Sequence, residues 1–89
     1  MTETEALLHR QKRALFRATH RGTKEMDALL GRYIAHVVFD MSAPQLSQLE
    51  GFLALPDPVL DGWIMGRDAP QDASDLDMVR AIRSFHGLT

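Results

Sequence analysis

Cysteine is absent from this chain, which excludes a disulfide framework, a thiolate metal site, a redox pair and a cysteine nucleophile together. Stability has to come from packing. Long apolar runs are absent too: the longest, Ile34 to Phe39, is interrupted by His36 and stops at Asp40, far short of the roughly 18 residues a membrane-spanning helix needs. Residues Met1 to Glu5 carry neither the apolar stretch of a secretory signal nor the arginine-rich bias of a transit peptide, so a soluble, cytoplasmic protein with no membrane insertion is expected. Alternating strand patterns, internal repeats and low-complexity segments are missing as well, which leaves the helical period as the organising signal.

Several chemistries fail for want of their residues. The four histidines, His9, His20, His36 and His86, never pair at the i, i+4 spacing of a helical metal site, and no carboxylate-rich loop accompanies them. None of Ser42, Ser47, Ser74 and Ser84 has the flanking glycines of a nucleophile elbow, and there is no Gly-x-x-x-x-Gly-Lys loop for phosphates. No metal, no stably bound cofactor and no enzymatic activity are therefore expected. Asp72, Asp75 and Asp77 cluster near the start of a helix, where the dipole alone accounts for negative charge.

What is present is a chain of 89 residues, enough for one core, and a single helical domain over 1–89 is expected, its first few and last three residues flexible. Leu7, Leu8, Ala14, Leu15 and Ala18 share one arc of a first helix from Thr4 to about Thr19, with Arg10, Arg13 and Arg17 opposite. His20 to Thr23 breaks the pattern, glycine being a poor helix interior and threonine a good N-cap. Met26, Leu29, Leu30, Tyr33, Ile34 and Val37 then trace a second helix to about Val38. Ser42 and Gln45 form a capping box for a third helix that turns Leu46, Leu49, Phe52 and Leu53 inward. Pro56, Asp57 and Pro58 read as a break followed by N-cap and N1 of a short fourth helix, which Gly66 ends. Beyond the polar loop to Ala73, Ser74 is placed to cap a fifth helix that buries Leu76, Met78, Val79, Ile82 and Phe85 and stops at Gly87. The pattern predicts an all-α, compact five-helix bundle.

Charge is uneven. Residues 1–32 hold seven basic side chains against four acids, and the remainder holds three against eight. That polarity suits the orientation of a partner during encounter. The basic face of the first helix fits a solvated or protein-docking surface better than a nucleic-acid site, because the chain is acidic overall and, Phe16 apart, lacks aromatics interleaved with the basic residues. Trp63, the lone tryptophan, reads either as core or as a half-buried docking anchor.

Arg21-Gly22-Thr23-Lys24-Glu25, opening a helix after a basic helix, resembles the Arg-Gly-x-x-Glu signature of the succinate dehydrogenase assembly factor family, the FAD assembly factors or flavinators. Arg13 to Phe16 resembles that family's basic-then-aromatic run, Met26 to Leu30 continues its second helix, and Leu55 to Leu60 with Trp63 to Gly66 resemble its Asp-Pro-x-Leu and Trp-Leu-x-Gly stretches. Over residues 10 to 86 the resemblance implies a factor that binds the flavoprotein subunit of succinate dehydrogenase, and in some bacteria fumarate reductase, and promotes covalent attachment of FAD to a histidine of that partner. FAD would belong to the partner, and the free factor is expected to be monomeric. Arg21, Gly22, Glu25, Arg13, Arg17, Asp57 and Trp63 are the expected partner-binding residues. Gly22 would admit a close backbone, Arg21 would grip a carboxylate or a pair of carbonyls, and Glu25 would pair with a partner cation or brace Arg21. The plainer reading is that these three residues only build the turn. A generic helical adaptor and a small nucleic-acid-binding regulator are the competing functions.

Overall fold

The computed structural model describes residues 1–88, and its described residues form five α-helices and no strand. Thr89, the last of the three C-terminal residues expected to be flexible, lies outside the described residues. Helix α1 spans Glu3–Thr19, α2 Lys24–Val37, α3 Ala43–Leu53, α4 Asp57–Ile64 and α5 Ala73–Phe85, with a 3₁₀ turn, Val38–Asp40, closing α2. The predicted all-α bundle is the one observed.

Local chemistry sets most boundaries. Thr2 and Thr23 accept from the backbone N–H groups of Glu5 and Met26, capping α1 and α2. At α3 both halves of the capping box are made: Ser42 N donates to the Gln45 side chain at 2.8 Å, and Gln45 N donates to Ser42 Oγ at 3.4 Å. Gly66 (φ 79°) and Gly87 (φ 69°) lie in the left-handed region that ends α4 and α5. Two predicted caps are displaced. Helix α5 is capped by Asp72, whose carboxylate accepts from Ser74 N and Asp75 N, because a charged acceptor outcompetes the Ser74 hydroxyl. Helix α4 starts one residue earlier than expected, flanked by Pro56, and Asp57 makes no cap because its carboxylate is engaged elsewhere.

The core gathers Ala14 and Ala18 of α1, Met26, Leu30 and Ile34 of α2, Leu46, Leu49, Phe52 and Leu53 of α3, Leu60 and Ile64 of α4, and Val79 and Ile82 of α5, with Val38 between. Fully burying each of the larger residues contributes about 1.5–3 kcal/mol. Leu8 and Phe85, expected inward, are exposed; Phe85 lies at the C-terminal end of α5 and meets Tyr33 edge-on at 5.6 Å. Conversely Gln11 is buried on the α1 stripe, where its amide donates to the Met41 carbonyl at 3.1 Å and so carries its polarity without loss.

Helices α1 and α2 approach closely because Gly31 has no side chain. A Cβ there would stand 2.7 Å from the Thr19 methyl, and the Thr19 hydroxyl is bound to the Leu15 carbonyl at 3.0 Å, so the methyl has little freedom to yield. Gly31→Val is expected to lose about 3 kcal/mol by overpacking. Gly51→Ala on α3, with open space around it, should gain about 0.5–1 kcal/mol. Urea denaturation of the two variants checks the contrast. No helix among the described residues is long and apolar enough to cross a membrane.

Candidate functional site

The turn between α1 and α2 is tied to the α3–α4 junction, and the tie is made by Arg21 and Asp57. Helix α3 ends with carbonyls that have no intrahelical donor. The Arg21 guanidinium supplies donors, giving Nη1–H to Leu53 O at 2.7 Å and Nη2–H to Leu55 O at 3.0 Å, with its charge at the negative end of the helix. Its Nε–H goes to Asp57 Oδ1 at 2.8 Å. The other carboxylate oxygen, Oδ2, accepts from the Gly22 backbone N–H at 2.8 Å. Asp57 thus clamps side chain and backbone of the signature at once. On the other side, Asp27 accepts from the Arg21 backbone N–H, fixing the turn to α2.

The electrostatics follow from these contacts. Burial pushes the Asp57 carboxyl up, yet the Gly22 N–H, the Arg21 hydrogen bond and the Arg21 charge outweigh it and hold the group below its usual carboxylate range. The Arg21 side chain is only 11% exposed, which makes the pair largely internal.

Each expected site residue has a distinct place. Arg21 finds its carboxylate and its pair of carbonyls within its own chain, because the end of α3 lies beside the turn. Gly22 is exposed, and a Cβ on it would stand 3.0 Å from Asp57 Oδ2. Its bareness therefore serves the clamp as well as leaving the backbone open to solvent. Glu25 is exposed in the first turn of α2 and forms no ion pair among the described residues; Asp57, not Glu25, braces Arg21. Glu25 lines a cleft of about 470 Å³ together with Thr23, Met26, Pro58 and the Asp61–Arg67 ion pair. Arg13 and Arg17 are exposed on α1, flanking Phe16. Beside them Arg10 pairs with Glu50 at 2.7 Å, and that hydrogen bond, helped by the charges of Arg10, Arg13 and Arg17 against burial, holds the Glu50 carboxyl below its usual range. Trp63 is half-buried against Phe52, ring centroids 6.3 Å apart, and lines a separate groove with Pro70 and Leu76 between α4 and α5. The turn, Asp57 and Glu25 are brought together; Trp63 is not part of that group.

Sequence reasoning missed two features here. The carbonyls of Leu53 and Leu55 leave no trace in a string of side chains. The stack of Phe16 on His20 could have been read from their i, i+4 spacing. Among the described residues, no three His, Asp or Glu side chains gather where they could hold a metal ion.

Comparison with known proteins points one way. Residues 12–86 match the family model described as flavinator of succinate dehydrogenase. The chain is 43% identical over 61 residues to the FAD assembly factor SdhE of Acetobacter pasteurianus, covering 68% of this chain and 56% of that protein, so it spans little more than half of that relative's length. It is 33% identical over 76 residues to the FAD assembly factor SdhE of Legionella pneumophila (strain Paris), covering 85% of this chain and 95% of the relative. The FAD assembly factor SdhE of Xylella fastidiosa (strain 9a5c) is 33% identical over 67 residues, 75% of this chain and 69% of that protein. No solved structure matches.

Proposed function

The chain belongs to the flavinator of succinate dehydrogenase family, and from that membership we propose that it binds the flavoprotein subunit of succinate dehydrogenase, or of fumarate reductase, and promotes covalent attachment of FAD to a histidine of that subunit. The observation that carries this reading is the α1–α2 turn. There a bare, exposed backbone at Gly22 and a carboxylate at Glu25 that has no ion-pair partner among the described residues are held on a surface that Arg21 and Asp57 lock from within.

The factor works by binding, as a monomer, and supplies no covalent chemistry. FAD and the accepting histidine stay with the partner. A rigid docking turn favours one domain arrangement of the flavoprotein, the one in which the flavin and the histidine are aligned. Raising such an arrangement from about 1% to half of the population takes a binding preference of about 100-fold, or about 2.7 kcal/mol, well within reach of one interface. Arg21 contributes by shaping the turn, Glu25 by meeting a partner cation, and Arg13 and Arg17 by steering an acidic partner into place. The site of action is the cytoplasm, where the flavoprotein is made and loaded.

The test mixes the purified protein with apo-flavoprotein, FAD and a dicarboxylate and follows covalent flavin by in-gel fluorescence. Acceleration over the protein-free reaction is expected, and its absence would remove the functional claim. In the same assay Glu25→Ala should slow flavinylation about tenfold, the effect of losing one interfacial charge pair. Its helix content and Tm should stay nearly unchanged, since an exposed first-turn carboxylate contributes little to the fold. An unfolded variant would instead make Glu25 a structural residue.

A further inference from the structure

We infer that Phe16 and His20 form a preorganised aromatic anchor that enters an apolar pocket rimmed by carboxylates on the flavoprotein partner; this rests on the reading above and extends it to a surface outside the signature. Phe16 is 60% exposed, more than any other phenylalanine, tyrosine or tryptophan among the described residues. An isolated exposed phenylalanine is common enough to need no explanation. Phe16 is not isolated: its ring lies on the His20 ring with centroids 3.8 Å apart and planes 16° from parallel.

The stack is fixed by a hydrogen bond as well as by contact. His20 Nδ1 is 2.7 Å from the Phe16 carbonyl oxygen, and since a carbonyl only accepts, Nδ1 carries the hydrogen. Thr19 Oγ1 lies 3.1 Å from the same nitrogen. Both rings are thereby held before any partner arrives, which removes part of the ordering cost that a docking side chain ordinarily incurs. Such a rigid aromatic surface is the kind that dominates interface energetics.

The rim indicates what the anchor enters. Arg13 and Arg17 flank Phe16, are exposed, and form no ion pair among the described residues, whereas Arg10, one turn earlier, is already matched to Glu50. Two exposed guanidinium groups on either side of Phe16 in sequence, with no direct ion pair among the described residues and only Glu50 near enough to feel their charge, call for carboxylates around an apolar recess. The position is continuous with the docking turn, because His20 directly precedes Arg21. A base-stacking role is disfavoured by the net charge of −2 and by Glu50, which lies close enough to feel the charges of Arg13 and Arg17.

The experiment measures Kd for apo-flavoprotein, alongside covalent flavin formation, for wild type, Phe16→Ala, Phe16→Tyr and the double variant Arg13→Glu with Arg17→Glu. Phe16→Ala is expected to weaken binding about 30-fold with helix content unchanged. Phe16→Tyr should stay within about threefold of wild type, since the stacking face is kept. The double variant should associate more slowly and lose most of its salt dependence. If wild type binds and flavinylates while Phe16→Ala does the same equally well, the anchor is refuted and the family function stands. If wild type does not bind, both fall. Binding of a single-stranded oligonucleotide that Phe16→Ala abolishes, with flavoprotein binding intact, would overturn the proposal in favour of a nucleic-acid surface.

Discussion

Asp57→Ala is expected to lower stability by about 2 kcal/mol and Tm by about 10 °C, and to depress flavinylation by loosening the turn, though less than Gly22→Arg does. The carboxylate serves two donors from one residue, Arg21 Nε–H and Gly22 N–H. Removing it leaves a guanidinium that is only 11% exposed facing the carbonyls of Leu53 and Leu55 with no neutralising charge. The pH dependence separates this role from simple packing. Because the folded carboxyl is held below its ordinary value, its contribution is present above the unfolded pKa of about 3.9 and is lost as pH falls through the lower folded value. The gap in stability between wild type and Asp57→Ala should therefore be widest at neutral pH and close in acid. Asp57→Asn keeps one acceptor and no charge, so it should fall between the two. Thermal and urea denaturation from pH 7 to pH 3 measures all three, and a gap that does not vary with pH would refute the clamp.

The same clamp shows which parts of the molecule were legible in the chain and which were not. Thr23 capping α2 and the Ser42–Gln45 box at α3 could be read in advance, because both are closed within three residues by groups that do nothing else. The apolar stripe of α2 was legible for a similar reason, since its period is intrinsic to the helix. Asp57 was misread as a cap because its preferred donors lie 35 and 36 residues away, on a turn that only the folded chain brings near. Arg21 was read as a group reaching for carbonyls, which it does; that the carbonyls are those of its own α3 and the residues after it depends on where α3 ends in space. Leu8 and Phe85 have the right period and the wrong surroundings, for the core runs out beside them. Gln11 shows the converse, a polar residue buried because the Met41 carbonyl is within reach of its amide.

Gly22→Arg should leave helix content near that of wild type and reduce flavinylation by more than 100-fold, to the level of the protein-free reaction. Two effects combine at this position, and a series of substitutions separates them. The first is internal: a Cβ would meet Asp57 Oδ2 at 3.0 Å, and that oxygen is held by the Gly22 N–H, so it must yield by a few tenths of an ångström. Gly22→Ala is therefore expected to cost about 1 kcal/mol of stability, in the ordinary range for a mildly crowded site. The second is external: Gly22 is exposed, and a long cationic side chain there would stand between the partner and the turn while adding a charge beside Glu25. If the internal effect dominates, alanine and arginine should impair flavinylation alike, and neither should add to the loss in an Asp57→Ala background, where the crowded oxygen is gone. If the external effect dominates, as the exposure of Gly22 and Glu25 argues, alanine should retain most of the activity and arginine almost none. Circular dichroism, Tm and covalent flavin formation measured on the two variants decide between them, and an arginine variant that binds and flavinylates like wild type would move the interface away from this turn altogether.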